Sequence, residues 1–102
     1  MKTKGGKRDK SEGRGGVPNI TDLQDFEQLV AATGNGKPLV IDFTATWCPP
    51  CKQIGPIFVA MADEPAYKNS VTFVKCDVDQ ADEVSEACGI EAMPSFVMFT
   101  RG

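Results

Sequence analysis

The chain has 102 residues, 41% of them hydrophobic and 25% charged, with a formal net charge of −3 and no histidine. A chain of this size is one domain with a modest core, and its composition excludes wholesale disorder and the fibrous classes. The lack of histidine excludes Cys–His dyads, Ser–His–Asp triads and mixed Cys/His zinc sites, so proton transfer falls to carboxylates, lysines or thiols.

The charge is unevenly spread. Residues 1–16 carry Lys2, Lys4, Lys7, Arg8, Lys10 and Arg14 against Asp9 and Glu12, a net +4 that leaves −7 on the remainder. With glycines at 5, 6, 13, 15 and 16 and only Met1 as a large apolar side chain, this head has nothing to bury, which predicts a disordered basic extension. Solvation accounts for it, and nucleic acid is not the expected partner. It also fits a mitochondrial presequence poorly, because it holds acids and lacks an amphipathic apolar face. No run approaches the roughly 18 apolar residues of a membrane span, and the first thirty positions hold no apolar signal region. The expectation is a cytoplasmic protein with no membrane partner.

Residues 17–20 suit a short edge strand. Thr21 followed by Gln24 has the spacing of a capping box, and Leu23, Phe26, Leu29 and Val30 recur at helical period, predicting a helix to about Ala32. Gly34-Asn35-Gly36 and Pro38 break it. Leu39-Val40-Ile41-Asp42-Phe43 is nearly continuous apolar sequence of strand length, the pattern of a central strand covered on both faces. Pro49 and Pro50 open a second helix, since a first-turn proline gives up only an N–H without an intrahelical partner. Ile54, Ile57, Phe58, Met61 and Ala62 keep its period up to Pro65, and Pro56 is predicted to kink it. Residues 71–78 form a strand with Val71, Phe73 and Lys75 on one face. Residues 81–88 form a short helix stopped by Gly89, and 95–100 a last strand before a turn-like Arg101-Gly102. The alternation predicts an α/β fold with a central mixed sheet flanked by helices.

Four cysteines in such a chain point to catalysis, metal binding or core filling rather than a disulfide framework. Cys48 and Cys51 in Trp47-Cys48-Pro49-Pro50-Cys51-Lys52 stand where the buried strand gives way to the helix. Cys48 at the N-cap would face the positive end of the helix dipole and the free N–H of Cys51, which favours the thiolate, the nucleophile of disulfide exchange. Two intervening residues across one helical turn put the second sulfur within disulfide reach, so Cys48 attacks and Cys51 resolves. A zinc site would have to recruit Cys76 and Cys88, whose spacing is no zinc-ribbon knuckle; no metal is expected, and these two are read as a core residue and a partly buried helix residue.

The run from Val40 through Asp42-Phe43-Thr44-Ala45-Thr46-Trp47-Cys48-Pro49-Pro50-Cys51-Lys52 to Pro56 resembles the active-site strand and helix of the thioredoxin family. Ala92-Met93-Pro94-Ser95-Phe96 resembles its cis-proline segment, and the likeness extends through Lys75-Cys76-Asp77-Val78-Asp79 over nearly everything from Val17 onward. It is closest in look to the cytosolic eukaryotic kind, plant h-type proteins included. The resemblance implies a thioredoxin fold and a protein-disulfide reductase with a Cys48–Cys51 redox disulfide. It implies no bound cofactor: electrons come from a separate thioredoxin reductase and pass to disulfide-containing client proteins. It makes Asp42, an acid in an apolar strand whose pKa burial should raise, the proton acceptor for Cys51, and Lys75 the partner of Asp42. Trp47, Pro49, Pro50, Met93 and Pro94 become the client-binding surface, with Pro94 cis and the Met93 backbone free to pair with an extended strand.

Three departures accompany it. Pro49 replaces the commoner glycine and removes one more N–H beside the thiolate. Thr44 stands where bacterial members often carry a second tryptophan. The family continues beyond Gly102 with an edge strand and a final helix, so a domain over 17–102 is expected to lack them, to leave strand 95–100 as an open edge, and to self-associate through it. Two other readings stand beside the reductase: a nucleoredoxin- or tryparedoxin-like oxidoreductase, and a non-catalytic interaction module.

Overall fold

The computed structural model describes residues 17–100. The expected basic extension and the Arg101-Gly102 turn lie outside the described residues. Helix α1 is Leu23–Ala32, followed by a 3-10 turn over Thr33–Asn35, strand β1 at Leu39–Thr44 and helix α2 at Pro49–Ala62. Then come a single helical turn α3 at Pro65–Lys68, strand β2 at Thr72–Asp77, helix α4 at Asp82–Ala87 and strand β3 at Ser95–Phe99. The sheet order is β2-β1-β3, with β1 parallel to β2 and antiparallel to β3. The central position expected for the apolar run at 39–43 is thus observed.

Alternation along β1 sorts its side chains between two layers. Leu39, Ile41 and Phe43 join Val74, Cys76 and Val84 in the main core, over which α1 lays Leu23, Phe26, Leu29 and Val30. The opposite face meets α2, where the Phe58 ring packs 5.4 Å from Phe73 and 5.7 Å from Phe96. Val40 lies on this face with Ile54, Ile57 and Met61 of α2. Asp42, two residues on, shares that face.

Local signals mostly placed the ends correctly, with three differences. The cap of α1 is Asp22, not Thr21: the Asp25 N–H donates to Asp22 Oδ1 at 2.8 Å, and the Thr21 N–H donates to Asp25 Oδ2 at 3.0 Å. A carboxylate accepts more strongly than a hydroxyl, so the helix starts one residue later than the Thr21–Gln24 spacing predicts. Residues 17–20 do not form a full strand; Asn19 bridges Lys75 in parallel, with Ile20 N–H to Lys75 O at 2.8 Å and Lys75 N–H to Pro18 O at 2.9 Å. Pro18 lacks an N–H, which limits this ladder to one bridge. The turn α3 was not expected, although Pro65 sits at its first position, where proline is favoured.

Gly89 meets its expectation in detail. At φ +70° it follows α4, with its N–H on Glu86 O and the Ile90 N–H on Ser85 O, both at 3.0 Å, the paired bonds of a Schellman stop. On β3, Phe96 and Met98 remain 48% and 60% exposed beside Ile57, Met61 and Tyr67, and among the described residues the outer edge of β3 pairs with no strand.

Candidate active site

β1 ends at Thr44 and the chain turns through Ala45, Thr46 and Trp47 into α2. Cys48 is the N-cap of α2, with extended backbone, and its Sγ accepts the Cys51 N–H at 3.2 Å. Pro49 and Pro50 fill the first two helical positions and carry no N–H. The Cys51 N–H is therefore the first donor the helix offers, and it points at the Cys48 sulfur. The two cysteines form a disulfide with Cα atoms 5.2 Å apart.

Both cysteines are 4% exposed and cluster with Ala45, with Val78 and Met93 packed against them. In this oxidised pair, residue exposure does not separate the two cysteines. Position separates them instead. Cys48 Sγ lies 3.7 Å from Met93 O, while Cys51 lines a cleft of about 830 Å³ with Lys52, Thr44, Lys75 and Asp77. The Met93–Pro94 peptide is cis, which brings the second motif to the first across 45 residues.

Asp42 is 1% exposed, and its buried Oδ1 has no hydrogen-bond partner among the described residues. Burial pushes its carboxyl above the ordinary value of 3.8, and the positive charge of Lys75 pulls back against that rise. Lys75 is the register partner of Asp42 on β2, and Phe96 is its partner on β3. The structure thus brings Cys48, Cys51 and Met93 into one cluster, with Pro94 joined to Met93 by the cis bond, and sets Lys75 in the cleft beside Cys51. Asp42 sits on the same side of the sheet as α2 but enclosed.

Trp47 is 62% exposed, and its indole Nε1–H donates to Asp79 Oδ2 at 2.8 Å. Sequence reasoning gave no part to Val78 and Asp79. They follow the strand as a solvent-facing turn, and only the tertiary arrangement shows that one packs on the cysteines and the other holds the tryptophan.

The other two cysteines are elsewhere. Cys76 is fully buried and its thiol is pushed up to about 12, by burial first and then by neighbouring Cys88 and Asp77. Cys88, half-buried after α4, is raised by burial as well. Both free cysteines occupy the structural places expected of them. Among the described residues, no group of three or more His, Cys, Asp or Glu side chains is placed to hold a metal ion.

The family model described as Thioredoxin matches residues 17–102. The chain belongs to the thioredoxin family. It is 46% identical over 80 residues to the thioredoxin of Malassezia sympodialis, a match covering 78% of this chain and 75% of that one. It is 47% identical over 75 residues to a Chlamydomonas reinhardtii protein named Thioredoxin H-type, covering 74% of this chain and 65% of that one. Among solved structures, the oxidised mitochondrial thioredoxin 3 of Saccharomyces cerevisiae superposes with a TM-score of 0.73 at 40% identity, over 84% of this chain and 76% of that one. Together with the paired Cys48 and Cys51, these likenesses make the chain a thiol–disulfide oxidoreductase of the thioredoxin type. They favour that reading over the nucleoredoxin- or tryparedoxin-like one and over a non-catalytic module.

Proposed function

We propose that Cys48 is the attacking and Cys51 the resolving sulfur in the reduction of client protein disulfides. The observation that carries this is the Cys51 N–H donated to Cys48 Sγ at the helix start, a bond that favours a thiolate at position 48. The Cys48 thiolate attacks one sulfur of the client disulfide. That bond breaks, a Cys48–client disulfide forms, and the other client sulfur leaves as a thiolate that takes up a proton. The Cys51 thiol then gives its proton to Asp42, and its sulfur attacks Cys48, releasing the second client thiol and closing the Cys48–Cys51 disulfide. Two electrons have passed to the client. A separate dithiol-using reductase restores the pair, in keeping with what the family does.

Asp42 suits the acceptor role because burial raises its pKa toward that of a thiol, and Lys75 holds the carboxylate once formed. Trp47, Pro49, Pro50, Met93 and Pro94 are the residues we assign to the surface for an extended client segment, a reading supported by the packing of Met93 against the cysteines. Because turnover leaves a disulfide that must be re-reduced, a reducing compartment such as the cytoplasm is the place we assign to it. No helix among the described residues is long and apolar enough to cross a membrane.

Cys51→Ser tests the division of labour: it should accumulate client bound through Cys48, whereas Cys48→Ser should accumulate almost none, read by non-reducing electrophoresis and peptide mass mapping. Equal capture by both variants would reject the assignment. We also propose that two copies of the chain associate by antiparallel pairing of their β3 edges, a self-complementary contact for backbone groups that no strand among the described residues takes up, with Phe96 and Met98 flanking the seam. Sedimentation should then show dimer growing with concentration and abolished by Met98→Lys. A monomer at every concentration would reject it.

A further inference from the structure

Parallel pairing of β1 with β2 sets Asp42 opposite Lys75 and Thr44 opposite Asp77. Residues two apart on a strand share a face, so Lys75 and Asp77 follow Phe73, which packs on Phe58 of α2, on the side of the sheet where Asp42 lies. Lys75 and Asp77 then line one cleft with Cys51 and Lys52 of α2. On the other flank β3 meets Asp42 with the apolar Phe96, and the segment before α1 adds the uncharged Asn19 to the cleft. The Lys75 ammonium is committed to neither carboxylate. Asp42 Oδ1 is without a hydrogen-bond partner, and no ion pair joins Lys75 to Asp42 or to Asp77 among the described residues. Asp77 uses its Oδ1 on its own turn, accepting the Asp79 N–H at 2.9 Å and the Gln80 N–H at 3.4 Å, which leaves Oδ2 for a cation. One positive charge shared by two carboxylates stabilises each less than it would stabilise either alone.

We propose that Asp77 is a positioning residue for proton transfer: it competes with Asp42 for the Lys75 ammonium, taking it when Asp42 is protonated and yielding it when Asp42 is ionised. The inference rests on the proposed role of Asp42 as proton acceptor for Cys51. With the ammonium drawn toward Asp77, the Asp42 carboxylate is less stabilised and is the stronger base toward the Cys51 thiol. Once Asp42 holds that proton, Asp77 keeps the ammonium in the cleft, in place for the next ionisation. Asp77 touches no reacting atom and acts through Lys75.

The test compares the parent with Asp77→Asn, whose side-chain oxygen still accepts the two turn N–H groups, with Lys75→Met, and with the double variant Asp77→Asn/Lys75→Met. Two quantities are read. One is the titration midpoint of the Asp42 carboxyl, followed by NMR in the oxidised protein. The other is the pH profile of the resolving step, followed as stopped-flow release of thionitrobenzoate from its mixed disulfide with Cys48. Asp77→Asn should move both midpoints down by about half a pH unit or more, because Lys75 is then left to Asp42 alone. Lys75→Met should move both up, since the charge that favours the Asp42 carboxylate is gone. Adding Asp77→Asn to Lys75→Met should shift them by less than half as much as it does in the parent, because no ammonium remains to redistribute. Coincident Asp42 midpoints in the parent and Asp77→Asn overturn the inference alone. An equal shift with and without Lys75 overturns it too, since Asp77 would then act directly and not through the ammonium. A shifted NMR midpoint beside a release profile that neither Asp77→Asn nor Asp42→Asn changes overturns both the acceptor role of Asp42 and the inference built on it.

Discussion

Two pairs of cysteines share this small fold, and their difference shows what makes a thiol reactive. Cys48 and Cys51 open a helix of 14 residues, where a backbone N–H is aimed at the first sulfur and the second cysteine lines a cleft that also holds Lys52, Lys75 and Asp77. Cys76 lies mid-strand in the apolar core and Cys88 follows the last turn of a six-residue helix. Residue-level burial does not explain the contrast, because Cys48 and Cys51 at 4% are nearly as enclosed as Cys76 at 0%. What differs is the dipole each sulfur meets. Cys48 has a donor to stabilise negative charge, while Cys76 Sγ lies 4.0 Å from the oxygen of Ala81 with Asp77 and Cys88 nearby, groups that disfavour a thiolate.

The sharpest way to break this comparison is to measure thiol reactivity one residue at a time. A thiol at about 12 is thiolate in only about one part in 10⁵ at pH 7, so Cys76 in the reduced protein should resist iodoacetamide almost entirely. Cys48 should label first and faster by several orders of magnitude, with Cys51 and Cys88 between. Peptide mapping over a time course gives the order, and Cys76 labelling at a rate near that of Cys48 would mean the core opens on the labelling timescale.

Asp42 sharpens the comparison from the side of the acid. Burial raises it as burial raises Cys76, but it lies on the α2 side of the sheet, where a titrating group has a use. Asp42→Asn should slow the resolving step by about ten- to thirtyfold. The ceiling follows because an unassisted thiol of ordinary pKa is already about 3% ionised at pH 7, so full deprotonation gains no more than about thirtyfold. The same substitution should stabilise the fold at neutral pH, because a neutral amide is less costly to bury than a carboxylate. The sign of its pH dependence is fixed. A carboxyl raised in the folded state binds its proton more tightly there, so the parent loses stability as pH rises from the ordinary value of 3.8 through the raised one, then levels off. The advantage of Asn should therefore be nil below that window and full above it. Denaturant melts from pH 3 to 8 check this, and a constant difference across the range would remove Asp42 titration as its cause.

Most of the fold was legible because its signals are local. The apolar run 39–43, the paired prolines after Cys48 and the glycine at 89 each state one backbone requirement, and each is met where the sequence puts it. The site was legible for the same reason at Cys48 and Cys51, whose placement follows from one strand-to-helix junction. What escaped depended on competition or on distance. Thr21 lost the cap to Asp22 because two acceptors contend for the same donors, and spacing alone does not rank them. Pro18 sits in a stretch of strand-like length but ends the pairing after one bridge. Val78 looks like the end of a strand and Asp79 like an ordinary turn residue until β2 is laid beside β1 and the turn meets Trp47.

The smallest effects come from converting each unreactive cysteine to serine, which swaps sulfur for a smaller, more polar oxygen with almost no change of shape. At Cys76 the hydroxyl would be sealed in the core, and the shorter C–O bond would draw it further from Ala81 O, already 4.0 Å from the sulfur, so it would gain no acceptor there. The cost should be about 1–3 kcal/mol for an unsatisfied buried group. At Cys88 the side chain is half-buried and borders a cleft open beside Phe26, Val30 and Phe99, so water can reach the hydroxyl. The cost there should stay below about 1 kcal/mol. In a domain of this size about 1 kcal/mol moves Tm by roughly 4–8 °C, so the two variants should separate clearly by calorimetry while both keep full insulin-reducing activity. A Cys88→Ser variant that melted as early as Cys76→Ser would show that the cleft is closed to water in solution. Lost activity in either one would show that the second pair of cysteines supports the redox site after all.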